Sequence, residues 1–129
     1  MLELAQVAAE AYARSGQLQD AVGVITESER AMMIIDGDEG EIVHANDAAE
    51  GLFGVHLAGT DHARLIPERL RAKHAGERGD FMQHLTPRPM GASAELSALT
   101  RDRGEISVQI GLTPLPGTRL VIAEIDPLE

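Results

Sequence analysis

The chain has 129 residues, a formal net charge of −10 at pH 7 and no cysteine. This length suffices for one domain with its own core and is too short for two. The missing cysteine excludes disulfides, thiolate metal sites and cysteine nucleophiles, and the negative charge disfavours direct binding to nucleic acid. No apolar run approaches the ~20 residues of a membrane span, and the first residues show no signal-peptide pattern, which favours a cytoplasmic location.

Two amphipathic helices are predicted at the N-terminus, from Leu2 to Arg14 and from Leu18 to Ile25. Both have narrow apolar stripes, so each helix either packs on the domain's own sheet or, in the case of the first helix, pairs with its copy in a homodimer. The first stripe, which would form the dimer interface, consists of Leu4, Val7, Ala8, Ala11 and Tyr12. The second stripe consists of Leu18, Ala21, Val22 and Ile25.

A β-hairpin is predicted next. The five apolar residues from Ala31 to Ile35 are too few for an isolated helix and suit a strand. The acidic and glycine residues from Asp36 to Gly40 favour a turn, and Glu41 to Ala45 form the second strand. The turn's carboxylates do not have the spacing of a calcium loop, so we expect them to be solvated.

A short helix from Ala48 to Phe53 is predicted to follow this hairpin. Asp47 suits the N-cap position, and Glu50 lies three residues later, which completes a capping box. Gly54 is typical of a residue that ends a helix.

Another helix is predicted from Leu65 to His74. Pro67 suits its first helical position, and Gly76 and Gly79 are expected to break it.

One further helical turn, from Gly79 to His84, would direct Phe81 and Met82 inward. The prolines between Pro87 and Gly91 then predict a rigid loop.

Three strands are predicted in the last part of the chain: Ala94–Arg101, Glu105–Thr113 and Thr118–Ile125. They form an antiparallel meander that the first hairpin must join, since an isolated hairpin is marginally stable in water. The prediction is therefore an α+β domain with a five-stranded antiparallel sheet and short helices on one face. Positions expected on the exposed face of the sheet are Ser107, Gln109, Val121 and Ala123.

The interior between the sheet and the short helices is the candidate ligand pocket. Two interpretations stay open: a fully packed core, or an apolar cavity for a small molecule with one polar contact, for which Asn46 is the candidate. The lining is predicted to consist of Met32, Ile34, Val43, Leu52, Phe53, Leu65, Leu70, Phe81, Met82, Leu96, Val108, Ile110 and Ile122.

Other chemistries find little support in the sequence. The five histidines do not have metal-ligand spacing, and no nucleophile elbow or phosphate-binding glycine loop occurs, so neither a metal site nor an enzyme is predicted. The histidine considered for haem is His84, beside Phe81 and Met82. The few aromatic residues, Tyr12, Phe53 and Phe81, offer little surface for stacking a flat cofactor.

Several motifs occur in the order found in one family. They are IDGDEGEIVHANDAAEGLFG at 35–54, LIPER at 65–69, PRPMG at 87–91, RDRGE at 101–105 and LVIAEID at 120–126. Together they resemble a PAS domain (sensory box) of bacterial signalling proteins. The resemblance implies a sensor or dimerisation module that often holds a small molecule between sheet and helices. It also implies an attached output domain, such as a histidine kinase, a cyclic-nucleotide enzyme or a transcription regulator.

The departures from this family's pattern argue against known PAS cofactors. The cysteine used by light-oxygen-voltage and p-coumarate-binding PAS domains is absent, and so is the tryptophan usual in flavin redox sensors. Haem-binding PAS domains carry a histidine ligand near a place that falls within Pro87–Met90 here, which has none. No cofactor is therefore predicted, and a haem or flavin redox sensor is the least favoured function.

The sequence divides into an N-terminal helical extension at 1–28, a PAS domain at 29–126 and a terminal segment at 127–129. Asp126, Pro127 and Glu129 suit the start of a connecting helix, as expected for a domain excised from a longer protein, although a free-standing module is also possible. Two functions stay open: a small-molecule sensor that relays to an output domain, and a ligand-free homodimerisation domain.

Overall fold

This computed structural model describes residues 3–83, 88–90 and 96–128 of the chain. The strands in this part of the chain are β1 (Ala31–Asp36), β2 (Ile42–Ala45), β3 (Arg88–Met90), β4 (Leu96–Thr100), β5 (Gly104–Pro114) and β6 (Leu120–Pro127). These six strands form one antiparallel sheet with the order β2-β1-β6-β5-β3, and β4 also pairs with β5. The helices are α1 (Glu3–Ser15), α2 (Leu18–Thr26), α3 (Asp47–Phe53) and α4 (Arg71–Gln83), with 3₁₀ turns at His62–Leu65 and Glu68–Leu70.

The sheet has five strand positions because β3 and β4 share one edge of β5. β4 pairs with residues 104–108 of β5, and β3 pairs with residues 110–112. The predicted five-stranded α+β sheet is thereby confirmed. The prediction of a loop at Arg88–Met90 is wrong: this segment is a strand, and Pro89, which has no N–H to donate, occupies the edge position where proline is tolerated. Pro87, Gly91 and residues 92–95 lie outside the described residues.

The helix predicted from Leu65 to His74 is placed too early. Pro67 adopts an extended backbone with ψ 137°, so α4 begins only at Arg71. Gly76 and Gly79 do not break the helix, which continues to Gln83. Each glycine costs about 1 kcal/mol of helix propensity and does not by itself end a helix. Phe81 and Met82 are buried, as predicted, and His84 lies outside the described residues.

The hairpin and the short helix after it form as predicted, except at the cap. The side chain of Asn46, not that of Asp47, accepts a hydrogen bond from the Ala49 N–H, and Asp47 is the first residue of α3. Gly54 ends α3 in the left-handed conformation with φ 77°, which glycine adopts without the penalty of a Cβ.

The sheet has an inner face, which packs against α3 and α4, and an outer face, which packs against α1 and α2. Alternate residues of each strand belong to opposite faces. Val121 and Ala123 are buried on the inner face, so their predicted exposure is wrong. Ser107 and Gln109 have the opposite orientation on β5, and Gln109 is exposed as predicted.

The C-terminal helix start is not observed in the described residues. β6 continues through Asp126 to Pro127, and the Leu128 N–H donates to the Ser107 carbonyl at 2.8 Å. Pairing with β5 satisfies the backbone groups that a helix would otherwise have used.

Candidate functional site

The inner face of the sheet carries the main hydrophobic cluster and is the candidate ligand site. α3 lies against β1 and β4, and the first 3₁₀ turn lies against β4. Short side chains alternate with long ones on this face of β1 and β6. Alanines at the centre of a sheet leave more space in front of it than branched residues would. The buried members are Ala31, Met33, Ile42, Ala49, Phe53, Leu57, Leu65, Ala98, Val108, Ala123 and Ile125.

A second, smaller cluster lies where α4 meets the sheet. It consists of Phe81, Met82 and Val121, the first two being the buried residues of α4. Leu112 is half-buried and contacts both clusters, and Ile35, also half-buried, lies opposite Val121 in the strand register. The described inner face thus has two separate buried clusters, with half-buried aliphatic side chains between them.

Most of the predicted pocket residues lie on this inner side. Phe81 and Met82 belong to the second cluster. The predicted residues that belong to the main cluster or pack against it are Leu52, Phe53, Leu65, Leu96, Val108 and Ile110. Leu70 is half-buried in the second 3₁₀ turn.

Four predicted lining residues are placed elsewhere, which corrects the prediction. Met32, Ile34 and Ile122 lie on the outer face, in the cluster formed with α1 and α2, and Val43 is 39% exposed. Every residue from Ala31 to Ile35 is apolar, so the sequence of β1 does not show which alternate set faces inward.

Asn46 is buried, and its side chain is fully occupied by the protein. Its Oδ1 accepts from the N–H groups of Met32 and Ala49, at 3.1 and 2.9 Å. Its Nδ2 donates to the carbonyls of Ile25 and Arg30, at 2.8 and 2.9 Å. These four bonds make Asn46 a structural residue and leave no polar atom of its amide for a ligand.

A pair of histidines that sequence reasoning did not single out lies beneath the β1–β2 turn. His62 is 7% exposed, and its Nδ1 donates to the Gly40 carbonyl at 2.7 Å, since a carbonyl can only accept. The ring of His74 lies 5.0 Å from that of His62. Burial lowers the pKa of His62, and burial together with the neighbouring His62 and Arg78 lowers the pKa of His74 to about 4. Both imidazoles are therefore neutral at pH 7.

Arg119 connects the end of α4 to the same turn. Its guanidinium donates to both carboxylate oxygens of Asp38, at 2.8 to 3.1 Å, and to the Met82 carbonyl at 3.2 Å. The hydrogen bond from Arg119 lowers the pKa of Asp38. Arg119 directly precedes β6, so this contact joins α4, the β1–β2 turn and a central strand of the sheet.

The N-terminal helices cover the outer face of the same chain. Ala8 is fully buried there, and Leu4 and Tyr12 pack against the outer cluster. Of the residues predicted for a dimer interface, Val7 is 45% exposed and Ala11 is half-buried. The apolar stripe of α1 is thus largely used within the chain.

Two buried polar atoms on the outer face have no hydrogen-bond partner among the described residues: Thr113 Oγ1 and Glu124 Oε1. The other oxygen of Glu124 accepts from Arg30 Nη1 at 3.0 Å. Burial raises the pKa of Glu124, although the hydrogen bond from Arg30 acts in the opposite direction.

The described residues do not contain a cluster of three or more His, Asp or Glu side chains able to hold a metal ion. His84, the haem candidate, lies outside them. No helix within the described ranges is long and apolar enough to cross a bilayer.

The sheet order, the short helices on one face and the hairpin followed by α3 form the architecture that the sequence motifs predicted. The sequence pattern of one family, the PAS domain, matches residues 23–86, which include this hairpin, α3 and α4. This chain belongs to the PAS domain family. None of the curated proteins matches this PAS domain in sequence.

Solved structures with the same fold include sensors of different kinds. A PAS domain from Colwellia psychrerythraea is 14% identical and superposes with a TM-score of 0.70, covering 86% of this chain and 96% of that one. The PAS domain of the Cronobacter turicensis RpfR quorum-sensing receptor, in complex with BDSF, is 14% identical with a TM-score of 0.65, covering 81% and 99%. The Rhodobacter sphaeroides LOV protein is 16% identical with a TM-score of 0.69, covering 82% and 63%. Because these sequences are only 14–16% identical to this chain, the similarity shows that they share its fold and nothing further.

Proposed function

We propose that this PAS domain is a sensory module that binds a small aliphatic molecule on its inner face and relays the binding to an output domain. The supporting observation is the division of the inner face into two buried clusters, with half-buried Ile35 and Leu112 between them. A ligand there would bury apolar surface that the described residues leave partly exposed, which is the main driving force for such binding.

The lining favours an aliphatic ligand over a flat aromatic one. Phe53 and Phe81 are the aromatic side chains of the two clusters, and the other members are aliphatic or methionine. The amide of Asn46 is fully bonded within the protein. A structure of the RpfR PAS domain in complex with C12:0 shows that the fold admits an acyl chain in that protein, so we choose dodecanoic acid as the probe for this one.

The contact from Arg119 supplies a path for the relay. A ligand that touches Met82 would displace the end of α4, whose last turn is bonded to Arg119 through the Met82 carbonyl. Arg119 is covalently joined to Leu120, the first residue of β6. Because β6 pairs with both β1 and β5, a shift of α4 would reach the centre of the sheet. The proposal gives the domain no catalytic role and places it in the cytoplasm, with a kinase, cyclic-nucleotide enzyme or transcription regulator as its output.

A second candidate function is a ligand-free homodimerisation domain. The observation that favours it is the exposure of Val7, with Ala11 one helical turn further along α1. Most of the remaining stripe of α1 packs on the chain's own sheet, so pairing would use a narrow surface.

Native mass spectrometry of the purified protein, with an absorbance spectrum of the same sample, tests the proposal. The expected result is extra mass without a visible band, or uptake of dodecanoic acid by a ligand-free sample. Leu112→Phe should fill the inner space and abolish uptake. Leu99→Phe, the same change on a β4 residue that faces the opposite side of the sheet, should not. A dimer that carries nothing and takes up nothing would overturn the sensor proposal and support the second candidate.

A further inference from the structure

A cavity lies on the outer face, away from the inner core of the domain. It is a crevice of about 450 Å³ between α1 and the turn that joins β5 to β6. This volume is within the range of ~300–1,000 Å³ typical of small-molecule sites. α1 contributes Gln6, Ala9 and Glu10, and the other wall runs from Thr113 to Thr118.

The base of the crevice contains a polar group that the protein does not satisfy. Thr113 is 2% exposed, and its hydroxyl has no hydrogen-bond partner among the described residues. Buried hydroxyls in folded proteins are nearly always bonded to protein or to an ordered molecule. A residue without such a partner in the lining of a cavity points to a polar ligand atom or a bound water next to it.

The wall formed by residues 114–118 has few free hydrogen-bond donors. Pro114 and Pro116 have no N–H, and the Leu115 N–H is bonded to the Leu120 carbonyl at 2.9 Å. The Thr118 N–H and hydroxyl both donate to the Leu115 carbonyl, at 3.2 and 2.8 Å. The loop wall therefore favours a ligand that donates hydrogen bonds, and the Gln6 side chain and the Thr113 hydroxyl can both accept them.

The negative charge of the crevice favours a ligand that is a cation as well as a hydrogen-bond donor. Glu10 is the charged side chain of its lining, is exposed at the rim and has no ion pair among the described residues. The whole chain has a net charge of −10, so the surrounding field also attracts cations. Ala9, Leu115 and Pro116 provide apolar contact for a short hydrocarbon chain.

We propose that this crevice binds a primary alkylammonium ion, with its ammonium group between Glu10 and Thr113 and its hydrocarbon chain along Ala9 and Leu115. The crevice is separate from the inner face, so binding of an amine in the crevice and binding of a ligand on the inner face can be disproved independently of each other.

Titration of the ¹⁵N-labelled full chain with n-butylammonium, followed by ¹H–¹⁵N NMR, tests this assignment. We expect saturable shifts of the amides of Gln6, Ala9, Glu10, Gly117 and Thr118, and no comparable shifts with 1-butanol at the same ionic strength. If Nα-acetyl-lysine methylamide binds as tightly as butylammonium, the ammonium comes from a lysine side chain of a partner; if it binds more weakly, the ligand is a free amine.

Two variants and one control make the test specific. Glu10→Gln should weaken binding of butylammonium about fivefold, since a partly exposed ion pair has a modest strength. Thr113→Val keeps the shape of the side chain, so it should fold normally and also weaken binding. Glu27→Gln, which removes an exposed carboxylate beyond the end of α2, should leave the dissociation constant unchanged. Absence of saturable shifts, or equal effects of Glu10→Gln and Glu27→Gln, would overturn the proposal.

Discussion

Asn46 and Met32 are joined by two hydrogen bonds in opposite directions. The Asn46 N–H donates to the Met32 carbonyl at 3.0 Å, and the Met32 N–H donates to Asn46 Oδ1 at 3.1 Å. The same side chain also binds the carbonyls of Ile25 and Arg30 and caps α3 through the Ala49 N–H. One buried amide thus connects α2, the loop before β1, β1 itself and α3.

Replacement of Asn46 by alanine should therefore be strongly destabilising. It removes the cap of α3 and leaves the Met32 N–H and two carbonyls without their side-chain partner, for which we expect a loss of about 3 kcal/mol in the free energy of unfolding. Urea denaturation measures this loss. Asp47→Ala changes the exposed residue next to it and serves as the control; equal losses in the two variants would contradict the assignment of Asn46 as the connecting residue.

Gly37→Ala should separate α4 from the β1–β2 turn. A Cβ at Gly37 would overlap the Sδ and Cε atoms of Met82 and lie 3.0 Å from the Arg119 carbonyl. The methionine side chain must move, and we expect a destabilisation of about 1–3 kcal/mol, as for other overpacked sites. Hydrogen exchange of α4 and the melting temperature report the change.

Gly79→Ala is the matched control for that substitution. A Cβ at Gly79 would meet no atom within 4 Å, and the residue lies inside α4. Higher helix propensity should stabilise this variant by about 0.5–1 kcal/mol. If Gly37→Ala were as stable as the unchanged protein, the close packing of Met82 on the turn would not hold in solution.

The histidine pair should make the domain sensitive to acid. The pKa of His74 falls from 6.5 to about 4 on folding, because of burial first and then repulsion from His62 and Arg78. The unfolded chain therefore binds more protons between these two values, so stability is complete above pH 6.5 and declines as the pH falls towards 4. The decline due to His74 is on the order of 2–3 kcal/mol.

His74→Gln removes this titration. Its free energy of unfolding should depend less steeply on pH between 6.5 and 4 than that of the unchanged protein. Ala75→Gln, on the exposed surface of the same helix, should retain the original slope. Identical slopes in all three proteins would show that His74 is not buried in the neutral form.

Glu124 should change the pH dependence of stability in the direction opposite to His74. Burial raises the pKa of its carboxyl group from 4.5, so the folded state holds this proton more tightly than the unfolded chain. Its contribution to stability is therefore greatest below pH 4.5 and is lost as the pH rises through the folded-state pKa. Glu124→Gln should be more stable than the unchanged protein near neutral pH, by about 1 kcal/mol.

Urea denaturation as a function of pH measures this difference, which should disappear in acid. Asp126→Asn removes the other carboxylate bound to Arg30, one that is 25% exposed, and should have a smaller effect. A Glu124→Gln variant that is less stable at neutral pH would show that the ion pair with Arg30 outweighs the cost of burial.

The motifs and local patterns of this chain predicted the family, the α+β class, the hairpin, α3 with its terminal Gly54 and the alternation of β5. These features depend on residues that are near one another in sequence: turn residues, a helix-ending glycine and a period of two. The sequence pattern predicts the cap at Asp47, whereas Asn46 occupies it in the structure. Both residue types suit an N-cap, and the choice depends on the direction in which the chain leaves β2.

Sequence by itself determined that this chain is a PAS domain with a five-position antiparallel sheet and an apolar interior. Tertiary structure alone decided which side of β1 and β6 faces that interior, because every position of β1 from Ala31 to Ile35 is apolar and both faces are covered. It also decided that α4 continues through Gly76 and Gly79. The same holds for the β1–β2 turn, where His62 binds Gly40, Arg119 binds Asp38, and His74 packs on His62. These outcomes depend on contacts between residues far apart in the chain, for which local periodicity contains no information.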